Sequence, residues 1–302
     1  MSNSQKESNI RKVALTSLSG TSIEWYDFFL YGAAAGLVFP KLFFGEVDPT
    51  TALVLSFMTF AAGFIARPIG GIVFGHFGDL IGRKKTLVIA LMLMGISSTL
   101  IGLLPTYDTI GIVAPLLLTA LRFCQGIAIG GQWGGAMLLV TESAPSNRRG
   151  YYGAYAQAGA PVGVILANIA FISVSMLTSE ENFLSWGWRI PFLISFVLVI
   201  ISMYIQLNLE DTKAFKDLEA MKSSDDSSPK VLKSSPILEA LRRYPKRISL
   251  AAGAFLSVQV TFYILVAFIL AYGVQTTDLS RNDLLMAVLI GSALMVPTQF
   301  MF

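Results

Sequence analysis

The 302-residue sequence holds a single cysteine, Cys124, and a single histidine, His76. One cysteine builds no internal disulfide framework, and without a thiolate or imidazole cluster there is no zinc or iron–sulfur site and no His-based catalytic triad. Neither a nucleophile–base pair nor a metal cluster is present, so an enzyme is not expected and no cofactor is implied. Charge is also scarce: 14% of residues are Asp, Glu, Lys or Arg, where an ordinary soluble domain carries about 25%. The first ten residues are polar and lack an apolar core followed by a small-residue cleavage site, so they do not read as a secretory signal.

What the chain does have is hydrophobic length. Apolar residues make up 54% of it, gathered into runs separated by clumps of charge. A membrane-crossing helix needs roughly 20 apolar residues. Eight runs meet that need, over 13–40, 52–74, 86–104, 110–140, 151–177, 188–209, 248–274 and 284–302. The reading is an all-α membrane protein with the first span serving as the targeting element. Of the 22 basic residues, 17 fall before span 1 and between spans 2 and 3, 4 and 5, and 6 and 7. The positive-inside rule makes those segments, and hence the N-terminus, cytoplasmic. Residues 1–209 then form a six-helix bundle, 210–247 a hydrophilic cytoplasmic linker, and 248–302 the first two helices of a second bundle. The sequence closes at Phe302 inside an apolar run with no charged flank, which gives the expectation that the chain is a fragment of something with more helices.

Charged residues inside spans cost at least about 2.5 kcal/mol each, so they need partners or a purpose. Glu24 and Asp27 lie three residues apart on one face of span 1. At 1.5 Å per residue Glu24 is roughly 15 Å deep, with Asp27 a few Å beyond, Arg122 of span 4 near that depth and Arg67 of span 2 closer to the cytoplasm. Two functions compete. A carboxylate in a dry bundle beside an arginine loads and releases a proton on small rearrangements, and the guanidinium fork suits a substrate carboxylate. Alternatively the acids pair with the arginines only to hold helices together. Trp25, Tyr26, Tyr31, Gln125, Gln132, Trp133 and Gln157 are candidates to line a cavity for a polar solute. The glycines of span 4, Gly126, Gly130, Gly131, Gly134 and Gly135, read as close helix packing. They do not read as a phosphate loop, because no Gly-Lys-Ser/Thr follows.

Motifs then narrow the class. Gly75-His76-Phe77-Gly78-Asp79-Leu80-Ile81-Gly82-Arg83-Lys84-Lys85, a loop after span 2, resembles the signature of the major facilitator superfamily, with Leu80 where the pattern usually has a basic residue. Arg122-x-x-Gln125-Gly126 is similar to that superfamily's proton-coupling motif, and Glu142 with Arg148-Arg149-Gly150 completes the cytoplasmic flank. Glu24-Trp25-Tyr26-Asp27-Phe28-Phe29, Arg67-Pro68-Ile69-Gly70-Gly71 and Trp186-Gly187-Trp188-Arg189-Ile190-Pro191-Phe192 resemble the metabolite:proton symporter family, in wording nearest its shikimate-type members. Gln132 departs from the glutamate usual in relatives.

The resemblance implies the major facilitator fold, with eight of an expected twelve transmembrane helices present. It implies proton-coupled symport by alternating access of a small polar metabolite. An organic acid such as shikimate or a dicarboxylate leads; a proline or betaine symporter, or a remnant that does not transport, are the alternatives. Glu24, Asp27, Arg67, Arg122, Gln125, Gln132 and Gln157 would serve proton and substrate, and Gly75, Asp79, Gly82, Arg83, Glu142 and Arg149 the cytoplasmic gate. The implied partners are a proton, a small-molecule substrate and the lipid bilayer of the inner cell membrane, with no nucleic acid, in a protein that is a monomer when full length.

Overall fold

The computed structural model describes residues 3–81, 83–130, 137, 140, 141, 143–207 and 242–301, with backbone alone for 3–9, 78–81, 83–85, 87 and 205–207. Nearly all of the described residues are helical. The long helices are α1 (Asn3–Leu37), α2 (Pro49–Ile81), α3 (Arg83–Leu103), α4 (Val113–Gly130), α5 (Arg149–Leu177), α6 (Arg189–Leu207), α7 (Pro245–Tyr263) and α8 (Arg281–Thr298). Beyond Tyr263, α7 widens into a π-helical turn, Ile264–Phe268, and resumes over Ile269–Thr276. Each helix follows one apolar run, as it must where no water is available to satisfy backbone polar groups. By length and composition alone, Pro49–Phe77, Val113–Gly130, Ser146–Leu177 and Pro245–Thr276 are able to cross a membrane, and Glu180–Gly187 with Arg189–Tyr204, bent by 44°, makes a fifth. The first helix falls outside that group because Glu24 and Asp27 share it with Ser17, Ser19, Thr21 and Ser22.

The signature segment differs from its expected form. Instead of a loop over 75–85, α2 continues to Ile81 and α3 starts at Arg83. The segment contains no proline, and Phe77, Leu80 and Ile81 keep the helical period beyond the apolar run.

The surface is inverted relative to a water-soluble protein. Ile65, Leu116, Leu256 and Leu294 are exposed while Ser56, Ser98, Ser195 and Ser202 are fully buried. An apolar exterior around a polar-seeded interior fits lipid as the surrounding solvent.

Inside, α1 packs on α5, α2 on α4 and α3 on α6. Two of these crossings depend on glycine. A Cβ on Gly126 would lie on the Gly63 carbonyl oxygen, and one on Gly130 on the Arg67 carbonyl oxygen, so α2 and α4 touch backbone to backbone. Packing as small-xxx-small contacts therefore holds for these two glycines; Gly131, Gly134 and Gly135 lie outside the described residues. The conspicuous Trp188-Arg189 pair is architectural. Trp188 is buried among Phe39, Phe43 and Phe192. Arg189 Nη1 donates to the carbonyls of Gly102 at 2.9 Å and Leu104 at 2.7 Å, satisfying acceptors that the end of α3 leaves open.

Candidate functional site

The α1–α2 and α2–α4 contacts bring four charged side chains into one cluster. Glu24 and Asp27 project from α1, Arg67 from α2 and Arg122 from α4; Asp27 and Arg122 are each 1% exposed and Glu24 5%. Glu24 has Arg67 as its charged neighbour, and Asp27 has Arg122. None of the four comes within ion-pair distance of another. Both oxygens of Asp27, and Nε and Nη2 of both arginines, are buried without a hydrogen-bond partner. Ser98 and Ser195 stand beside Asp27 without reaching bonding geometry.

The arginines are held instead by rings and by one polar relay. Arg122 lies 4.5 Å from the Phe28 ring centroid, 4.4 Å from Tyr31 and 4.7 Å from Phe60. Its Nη1 donates to Gln125 Oε1 at 3.0 Å, and Gln125 Nε2 donates to Ser98 Oγ at 2.6 Å. The Arg-x-x-Gln spacing places donor and acceptor one helical turn apart, which is why the two meet. Arg67 sits 4.5 Å from Phe28 and 4.7 Å from Phe64. Such cation–π contacts offset part of the cost of burying guanidinium while leaving its remaining N–H groups free. The arginine aliphatic stem also has a seat: a Cβ on Gly63 would come within 2.7 Å of Arg122 Nε.

Helix α7 also reaches this cluster, through a residue that the sequence alone does not single out. Tyr263, at the end of the regular part of α7, packs its ring against Phe64 at 5.1 Å and Phe28 at 5.6 Å. Its hydroxyl has Arg67 and Arg122 as charged neighbours and no hydrogen-bond partner.

A cleft lined by Glu24, Trp25, Phe28, Arg67 and Ile129 lies at the centre, with no room for a water molecule between its walls. Of the other expected site residues, Gln125 belongs to the cluster, while Gln157 is half-buried on α5 and does not line the cleft. Gln132, Gly82 and Glu142 lie outside the described residues, as do the side chains of Asp79 and Arg83. Gly75 and Arg149 are exposed, at the end of α2 and the start of α5.

Comparison with known proteins gives the family and the fold. The family model described as sugar (and other) transporter matches residues 12–241. An inner membrane metabolite transport protein of Escherichia coli K12, YhjE, is 45% identical over 293 residues, covering 95% of this chain and 65% of the relative. The shikimate transporter of the same organism is 42% identical over 300 residues, covering 96% and 66%. Its proline/betaine transporter is 34% identical, covering 96% and 59%. The chain therefore spans between 59% and 66% of the length of these curated relatives. Among solved structures, a D-xylose-proton symporter matches with a TM-score of 0.67 at 17% identity, covering 95% of this chain and 67% of the other. A proton:xylose symporter described as a major facilitator superfamily protein matches at 0.65 and 18%, covering 98% and 69%. These likenesses are to transporters, not to enzymes, and they give the fold. The chain is a multi-pass membrane protein of the sugar (and other) transporter family, with the major facilitator fold.

Proposed function

We propose that the whole protein is a proton-coupled symporter that takes up a small organic acid by alternating access, with Asp27 as the proton-carrying carboxylate and Arg67 and Arg122 as the anion-binding groups. The observation that carries this reading is a cluster of two acids and two arginines in which no ion pair forms and several N–H groups stay free. Unused donors in a dry site bind an incoming carboxylate strongly, because no water competes for them. An unpaired buried acid is costly while ionised, so it takes up a proton readily. In this reading the N-terminus is cytoplasmic, residues 1–209 and 248–302 belong to two bundles joined by 210–247, and Gly75, Asp79, Gly82, Arg83, Glu142 and Arg149 form the cytoplasmic gate. Gln132 and Gln157 line the path.

The similarity to a shikimate transporter makes a hydroxylated carboxylate the first substrate to try. A zwitterion is the second reading: it would satisfy the free oxygens of Asp27 and the free N–H groups of the arginines at once, and a proline/betaine transporter is among the relatives. Uptake of labelled shikimate, a dicarboxylate, proline and betaine by cells producing the whole protein separates the two. Accumulation of an acid that collapses on adding a protonophore is the expected result. Accumulation indifferent to the protonophore would overturn the coupling, and accumulation of proline or betaine alone would give the zwitterion reading.

A further inference from the structure

We propose that Tyr263 is a substrate-positioning residue supplied by the second bundle, its hydroxyl closing with the free N–H groups of Arg67 on the carboxylate of the bound acid. This rests on the reading of the site as an anion site. Three observations lead to it. The Tyr263 hydroxyl is buried in the cluster with no partner, where a buried polar group without one is rare and calls for an explanation. Arg67, whose Nε and Nη2 are equally unpartnered, stands beside it without completing a hydrogen bond, so a hydroxyl from α7 and N–H donors from α2 lie together with bonding capacity left for a carboxylate. The ring is fixed by Phe28, Phe64 and Phe262, so the hydroxyl is aimed rather than free to swing.

Position along the helix adds to this. Tyr263 is the last residue before the π-helical turn Ile264–Phe268, and single π turns inside helices widen the backbone locally, often at functional sites. From the turn onward α7 lies against α1, with Ala267 of the turn over Gly32 and Ala271 beyond it over Gly36. A carboxylate bridging Arg67 and Tyr263 would tie α7 to α2 through the substrate itself, which makes anion binding favour one arrangement of the bundles over another.

Tyr263→Phe tests this, because it removes the hydroxyl and keeps the ring contacts. Binding is measured on the purified whole protein with shikimate and with its methyl ester, alongside the melting temperature. The expected result is a melting temperature near that of the parent, an affinity for shikimate weakened roughly tenfold or more, the factor for losing one hydrogen bond to a charged group, and an ester affinity that does not change. The loss should also be non-additive with that of Arg67→Lys, since both would act on one carboxylate. Equal affinity of Tyr263→Phe and parent for shikimate would overturn the proposal, as would equal weakening for acid and ester, which marks a packing role. If the parent binds none of shikimate, a dicarboxylate, proline or betaine, the anion-site reading itself fails, and this inference falls with it.

Discussion

Asp27 and Arg122 are neighbours on adjacent helices, yet no direct bond joins them. A bonded pair would be a structural strut, and breaking it would leave a buried charge costing several kcal/mol. An unbonded Asp27 has a different signature. Asp27→Asn keeps the shape and removes the titrating carboxyl, so the variant should fold and reach the membrane at parental levels while accumulation above equilibrium is lost. Measuring uptake with and without an imposed inward proton gradient checks this; undiminished gradient-driven accumulation would take Asp27 out of the mechanism. That these four charges would gather was legible in the sequence, since ionised groups in apolar runs are too costly to stand alone. Tyr263 was not legible in the same way. A tyrosine in an apolar helix is ordinary, and what sets this one apart is a charged neighbour, Arg67, almost two hundred positions earlier. Ser98 and Ser195 escaped notice for the same reason: a serine in a membrane helix usually bonds its own backbone, as Thr21 does to the Ser17 carbonyl at 2.8 Å.

At the scale of the element, the α2–α4 crossing fixes where both arginines stand. Gly130 meets the carbonyl of Arg67 itself, so Gly130→Ala should both part the helices and displace the Arg67 backbone. Overpacking of this kind costs about 1–3 kcal/mol, and it should appear as a lowered melting temperature in detergent together with weakened anion binding. A parental melting temperature would show that the crossing has slack. At the start of α2, Asp48 accepts from the Thr51 backbone N–H at 3.0 Å, and hydrogen bonds from Thr51 hold its carboxyl below the usual carboxylate range. A lowered carboxylate stabilises the fold fully above its unfolded value of about 4 and loses that contribution as pH falls through the folded value. Asp48→Ala should therefore melt below the parent at neutral pH, and the two should converge in strong acid; a gap unchanged with pH would deny the cap an ionic part. Helix positions were readable because apolar length decides them, and the starts of α5 and α6 fall within two residues of the apolar runs. The signature segment was misread as a loop because its glycines and charges look like punctuation, whereas the continuing Phe77, Leu80 and Ile81 period carries the helix on.

Across the whole molecule, the helices after residue 244 meet the earlier ones at several levels. Tyr263 meets the charged cluster, Phe300 of the segment after α8 packs on Tyr155 of α5 at 4.9 Å, and Arg281 at the start of α8 pairs with Glu180 in the turn before α6. The last contact looks like a latch, but magnitudes argue that its ionic part is small. The Glu180 side chain is 60% exposed, and exposed ion pairs contribute only about 0.2–1 kcal/mol. Arg281 is different, with its side chain 14% exposed and its guanidinium carbon 4.4 Å from the centroid of Phe183, which is fully buried. Its hold on the turn before α6 is therefore mostly packing and cation–π contact with Phe183, worth more where water is excluded. Truncating the two partners should thus be unequal: Arg281→Ala should lower the melting temperature clearly more than Glu180→Ala, and raising salt should close little of that difference, since screening touches only the ionic share. Equal losses that vanish together in high salt would assign the contact to charge alone and leave Phe183 without a part in joining the helices.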